Sequence, residues 1–374
     1  MKFGTLIKSA LASAALWAAS GTAMALTCTY LNGIQPANGF MPLQVSAITV
    51  GRDVPVGTEV YRQTFRVASG QAPTVECLNA PFQIWSEMNV DSFYGLTRWS
   101  SGKYANKVYR TDIEGLGVAF NSLGGTLPRK STPAPTTCTS GRRCLVSMEG
   151  PANFELILIK IGDVSPGVLI GANLPTVSLY ANFNTVRLLG FAMGVSGNIQ
   201  VVSRTCSTPD VVVPMGEHQT KTFTGPNSAS GWKEFSIALN NCPAFNGTYG
   251  VNAPSWTSQS GKFPSGTGTG GTRTNNSLQY RITPARTAIN ASNGVMSLDP
   301  SAVGSPPAAS GVGVQIATPN NAPVPLGTNR NSNLPLQTSE GNYSIQLRAR
   351  YLQTESSVTP GPANASATFT IIYQ

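Results

Sequence analysis

Residues 342–374 read NYSIQLRARYLQTESSVTPGPANASATFTIIYQ, and the pattern inside them decides the fold. Tyr343, Ile345, Leu347, Ala349 and Tyr351 alternate with Asn342, Ser344, Gln346, Arg348 and Arg350, the period of a strand with one buried and one wet face. After the turn at Thr359-Pro360-Gly361-Pro362, a second strand places Ala363, Ala365, Ala367, Phe369, Ile371 and Tyr373 on one face. That last strand is apolar on one side up to the penultimate residue.

The same punctuation runs through the rest of the chain. Charged residues make up only 11% of the 374, while Gly and Pro number 38 and 27, which suits strands joined by turns and suits helices poorly. Leu43 to Val50, Glu59 to Val67, Phe154 to Ile161 and Thr185 to Phe191 are β-rich runs separated by turn residues. The expected class is all-β, and the length suits two β-sandwich domains, each with its own core. Ser255 to Ser277 and Pro300 to Gln337 are rich in Gly, Ser, Thr, Pro and Asn and read as long loops.

The amino terminus is expected to be removed. Lys2 and Lys8, the apolar run from Leu11 to Ala19 and the small-residue site Ala23-Met24-Ala25 form a secretory signal over residues 1–25, cut before Leu26. A membrane anchor is the competing reading, but the apolar run is short and no later stretch reaches the roughly 20 residues that a spanning helix needs. All six cysteines follow the cut, and an even count in an exported chain predicts three disulfides. Chain order suggests Cys28 with Cys77, Cys138 with Cys144 and Cys206 with Cys242 among the 15 possible pairings. A zinc site would need a CxxC pair or histidines, and the chain has His218 alone, so no metal or other cofactor is expected.

The run Ile199 to Val202 leads into Arg204-Thr205-Cys206, where a new cysteine-stapled unit begins, which places a boundary between 204 and 205. That unit opens with a short proline-bounded strand at Val211 to Val213 and reaches its second cysteine after Phe235-Ser236-Ile237-Ala238-Leu239, another alternating run. The net charge of +9 includes Lys2 and Lys8 and is otherwise spread without a basic run, so no nucleic acid is expected as a partner.

At this point the stretch from Asn342 to Gln374 resembles the carboxyl end of chaperone-usher pilus subunits. Gly361 matches their glycine about 14 positions from the end, Ala363 through Ile371 their alternating apolar residues, and Tyr373 their penultimate tyrosine. Cys206 to Cys242, ending in Asn241-Cys242-Pro243, is similar to the amino-terminal half of the same pilin domain. The resemblance covers residues 206–374 and implies an incomplete immunoglobulin-like domain lacking its last strand. It implies that a periplasmic chaperone, and later the next pilus subunit, lends a strand beside Ala363, Ala365, Ala367, Phe369, Ile371 and Tyr373, with an outer-membrane usher assembling the fibre. It also implies export through the periplasm to the cell surface. The expected mature chain begins Leu26-Thr27-Cys28 without a donor strand, which implies a place at the fimbrial tip, with residues 26–204 as an elongated, lectin-like adhesin domain.

For that front domain the resemblance to lectin domains of two-domain pilus adhesins is one of size and placement. It points to Leu26 and Asn79 as sugar contacts, with Ala80 departing from the acid of the mannose-binding type. The residues themselves offer two further surfaces. Trp85, Tyr94, Arg98, Trp99, Lys103 and Tyr104 supply rings to stack on sugars and cations for hydroxyl, sulfate or carboxylate groups, unless the tryptophans are core. The ring Cys138 to Cys144 either displays Arg142 and Arg143 towards an anionic ligand or is a stapled hairpin with solvated arginines. The expected receptor is a host glycan or glycoprotein. The alternative is a structural tip or initiator subunit without a glycan. An enzyme would need a nucleophile with its base or paired carboxylates, and neither a GxSxG elbow nor a recognisable acid pair is present.

Overall fold

The computed structural model describes all residues except 1–24, 32–34, 79–80, 139–141, 150–152 and 260–264. The expected signal peptide, apart from Ala25, lies outside the described residues, as do Asn79 and Ala80. The rest is all-β: 28 strands and three single turns of 3-10 helix among the described residues. All three expected disulfides form.

Two large apolar clusters divide the chain. The front cluster runs from Met41 to Val201 and the rear one from Cys206 to Tyr373. In the front unit a sheet built on strands Gln83–Asp91, Thr176–Phe183 and Val186–Ser196 faces a second built on Glu59–Val67, Phe154–Lys160 and Leu116–Ser122. Their inner residues interdigitate, with Phe154 stacked between Phe65 and Phe191 at 4.8 and 5.8 Å. Each such fully buried side chain contributes roughly 1.5–3 kcal/mol of transfer free energy. A smaller cluster around Cys28, Cys77 and Cys144 closes one end, where strand Thr27–Tyr30 pairs with Thr74–Leu78.

In the rear unit a four-stranded sheet (Lys233–Cys242, Gly341–Gln353, Val312–Ala317, Val295–Met296) faces a three-stranded one (Arg330–Asn331, Leu278–Pro284, Ala367–Tyr373). The alternation seen in the sequence is used as expected: Phe235 opposes Leu347 and Ile237 opposes Ile345 across the strand pair.

Three local expectations are corrected. Val312–Ala317, expected within a loop, is a central strand buried at all six residues, because it is covered on both faces and so lacks alternation. The Ser255 to Ser277 stretch holds strands Ser255–Ser258, Gly266–Thr269 and Thr272–Thr274. The first of these pairs in parallel with Thr64 to Val67 of the front sheet, so the rear unit's sequence completes a front-unit edge. Val211 to Val213 forms no strand; Pro209 and Pro214 lack N–H groups, and the segment borders a groove rather than a strand.

Candidate functional site

The rear unit carries an apolar groove of about 1040 Å³. Its floor is the inner face of the four-stranded sheet, including Ile237, Val314, Ile316 and Tyr351. One wall is Val211 to Met215 and the other is the terminal segment through Ala363, Ala365, Ala367 and Phe369. Terminal strand Ala367–Tyr373 pairs with Leu278–Pro284 on one side only. Gln374 exchanges both backbone hydrogen bonds with Ser277, and the Ser366 carbonyl accepts from Ala285, so even-numbered residues face the inner neighbour. The odd-numbered residues therefore point N–H and C=O outward. At Ala367, Phe369 and Ile371 these outward groups have no backbone partner among the described residues. An open edge beside an apolar trough is an arrangement that pairs with an added strand, the backbone giving affinity and the trough taking alternate side chains.

The six residues expected on this edge divide into two sets. Ala363, Ala365, Ala367 and Phe369 line the groove, whereas Ile371 and Tyr373 are buried in the core away from it. Tyr373 Oη accepts the N–H of Cys206 at 2.9 Å, and burial pushes its phenol up. Regular strand pairing also starts at Ala367 rather than Ala363; the preceding residues are held singly, Ala363 by its carbonyl accepting Tyr351 Oη–H at 2.7 Å.

In the front unit the expected receptor residues do not form one surface. Trp85 lies near one end of strand Gln83–Asp91 and Tyr94 beyond the other; the six steps from Trp85 to Asp91 alone span about 20 Å. Trp99 packs with Val108, Ile157 and Ile159, and its Nε1 is buried without a partner among the described residues. Lys103 and Tyr104 hold Glu59 from one side, at 2.8 and 2.9 Å, and Arg62 holds it from another. Burial opposes ionisation of Glu59, but these three donors outweigh it and hold the carboxyl below its ordinary value. Tyr94 and Arg98 are exposed, with Tyr94 edge-on to the exposed Phe93. Arg142 is exposed, Arg143 is paired with Glu76 through two hydrogen bonds, and Leu26 packs half-buried on the disulfide-bearing cluster.

Around Trp85 the structure assembles a set that the sequence alone does not reveal. Trp85, Glu87 and Asn89 share the outer face of their strand, and Tyr180 and Arg187 join them from neighbouring strands. Lys130 sits 5.2 Å over the Trp85 ring and Arg187 3.4 Å over the Tyr180 ring. Glu87 lies between them, accepting from Trp85 Nε1 at 3.2 Å and pairing with Lys130 and Arg187 at 3.3 Å each. Desolvation opposes its ionisation, yet Trp85, Lys130 and Arg187 hold its carboxyl below the ordinary value. The signal was present as the alternation Trp85, Glu87, Asn89, but cross-strand partners 43 to 102 positions away are invisible without the register.

Residues 193–374, just under half the chain, match the model of the fimbrial protein family. The chain is 28% identical to a type-1 fimbrial protein subunit of Serratia marcescens over 195 residues, 49% of this chain and 89% of that one. It is also 28% identical to a fimbrial subunit type 1 of Salmonella typhimurium over 166 residues, 44% of this chain and 71% of that one. Among solved structures, the CupB6 tip adhesin of Pseudomonas aeruginosa is similar at 14% identity and TM-score 0.34, covering 93% of this chain and 95% of that one. The receptor binding domain of the MrkD1P adhesin of Klebsiella pneumoniae is similar at 20% identity and TM-score 0.34, covering 49% of this chain and 99% of that one. The open edge and the apolar groove both lie inside residues 193–374, the stretch that matches the fimbrial protein family.

Proposed function

We propose that the chain is a tip adhesin of a chaperone-usher fimbrium: residues 26–204 bind a receptor on a host surface, and residues 205–374 form an incomplete immunoglobulin-like domain that joins the fibre by accepting a strand. The observation that carries this reading is the groove with its unpaired edge at Ala367, Phe369 and Ile371. A periplasmic chaperone fills it first and the next subunit later, with the usher as the site of exchange. The boundary after residue 204 is supported by the change of core between Val201 and Cys206. The tip position is supported by strand Thr27–Tyr30, which is folded into the front unit and bridged there by Cys28 to Cys77, so this stretch is not a free donor.

The receptor surface is the outer face around Trp85. Lys130 and Arg187 are about half exposed there and, among the described residues, are ion-paired only with Glu87, so the face carries an excess of positive charge beside two aromatic rings. The receptor class that fits is a glycan bearing carboxylate or sulfate, its sugar ring against the aromatics and its acid on the cations. The test is a glycan screen of the whole chain held in complex with a pilus chaperone. Binding to acidic glycans that falls by at least about tenfold in Lys130→Gln/Arg187→Gln is expected, the loss of two charge-assisted contacts. Equal binding to neutral glycans, or binding that the double variant leaves unchanged, rejects this surface.

A further inference from the structure

The free edge of the terminal strand ends before the strand does. Tyr373 has the outward parity of Ala367, Phe369 and Ile371, but its outward groups are taken by the front unit: Asp53 N–H donates to the Tyr373 carbonyl at 3.1 Å, and Tyr373 N–H donates to Asp53 Oδ2 at 2.9 Å. Asp53 thus stands in for one residue of a neighbouring strand, its amide as donor and its carboxylate as acceptor. The segment that carries it is held firmly. Lys160, buried to 2% exposure, donates from Nζ to the carbonyls of Gly51 and Arg52, and Thr49 bonds Ala244, Asn246 and Gly247 of the rear unit. Gly51 is required by the approach, because a Cβ there would lie 2.4 Å from the Tyr373 carbonyl oxygen.

We infer that the front unit sets the end of the strand-accepting site: Asp53 caps Tyr373, so an incoming strand pairs with Ala367, Phe369 and Ile371 and stops there. This rests on the strand-accepting reading and adds a stop to it. The partner that fits is an extended peptide of alternating apolar residues whose last backbone pair is with Ile371. Its further growth along the edge would collide with the loop at Gly51 to Asp53. A device of this kind fixes the register of the incoming strand from outside the groove, where a one-residue slip would turn every side chain away from the trough.

The test is residue-resolved amide hydrogen exchange on the full disulfide-bonded chain, with and without a synthetic peptide of alternating apolar and polar residues long enough to span 363–373. The expected result is a Tyr373 amide already protected in the free protein and unchanged by the peptide, while the amides of Ala367, Phe369 and Ile371 gain protection. In Asp53→Ala the free-state exchange of Tyr373 rises by on the order of tenfold and the peptide leaves it raised, because the loop still blocks the edge, whereas Asp53→Asn, which keeps an acceptor oxygen, behaves as wild type. Tyr373 gaining protection from the peptide in the wild-type chain, or Asp53→Ala leaving its free-state exchange unchanged, overturns the cap. No gain at Ala367, Phe369 and Ile371 overturns the strand-accepting reading and the stop together.

Discussion

A methyl group at position 361 would lie 2.3 Å from the Pro307 carbonyl oxygen and 2.7 Å from the Ala309 amide nitrogen. Gly361 is therefore fixed by close backbone approach, next to the bond from Ala309 N–H to the Pro362 carbonyl that leads the chain into its terminal strand. Gly361→Ala is expected to destabilise the rear unit by about 1–3 kcal/mol, the usual range for overpacking, seen as a lower melting temperature; an unchanged transition would show that the loop at Pro307 yields freely. Glu59 gives a prediction in pH. Its folded pKa is depressed below the ordinary 4.5, so its contribution is fully present above that value and is lost as pH falls through the lower folded value. Glu59→Gln is expected to cost about 1.5–3 kcal/mol at pH 7, because Arg62, Lys103 and Tyr104 lose a charged acceptor. Once the pH has fallen below the folded value the two proteins should converge, and a gap independent of pH would contradict the ion-pair account.

Among the elements, the strands carried by residues 248–274 do most to join the two units. Ser255–Ser258 lies alongside Thr64 to Val67, Tyr249 pairs with Tyr61, and Trp256 packs on the front core. Trp256→Ala is therefore expected to lower the stability of the front unit, not the rear, by about 1–3 kcal/mol, read by exchange protection of strand Glu59–Val67. Residues 26–204 produced alone would expose that edge and are expected to self-associate, which size-exclusion chromatography reports directly. This element also shows where sequence reading stops. Strand Glu59–Val67 and the two terminal strands were legible because each has one wet and one dry face. Strands Ser255–Ser258, Gly266–Thr269 and Thr272–Thr274 carry no such alternation and form because neighbouring strands supply their hydrogen bonds, a tertiary term that local composition does not contain. The groove was legible as an expectation from Ala363 to Phe369, whereas the Trp85 surface and the Asp53 cap were not, since both depend on registers between distant segments.

At the scale of the whole molecule, two cores are locked together, with contacts from Thr49 and Asp53 on one side and Ala244, Gly247, Asn276 and Tyr373 on the other. The rear groove opens along the terminal strand, with its Tyr373 end against the front unit, so the groove and the Trp85 face occupy separate parts of one body. The central claim is that this groove accepts a strand, and it is tested most directly by co-expressing the chain with a periplasmic pilus chaperone and isolating the complex. The account predicts a stoichiometric complex that is lost in Phe369→Asp and retained in Arg143→Gln, which changes a paired arginine in the front unit. Absence of a complex, or a complex that Phe369→Asp leaves intact, would contradict it.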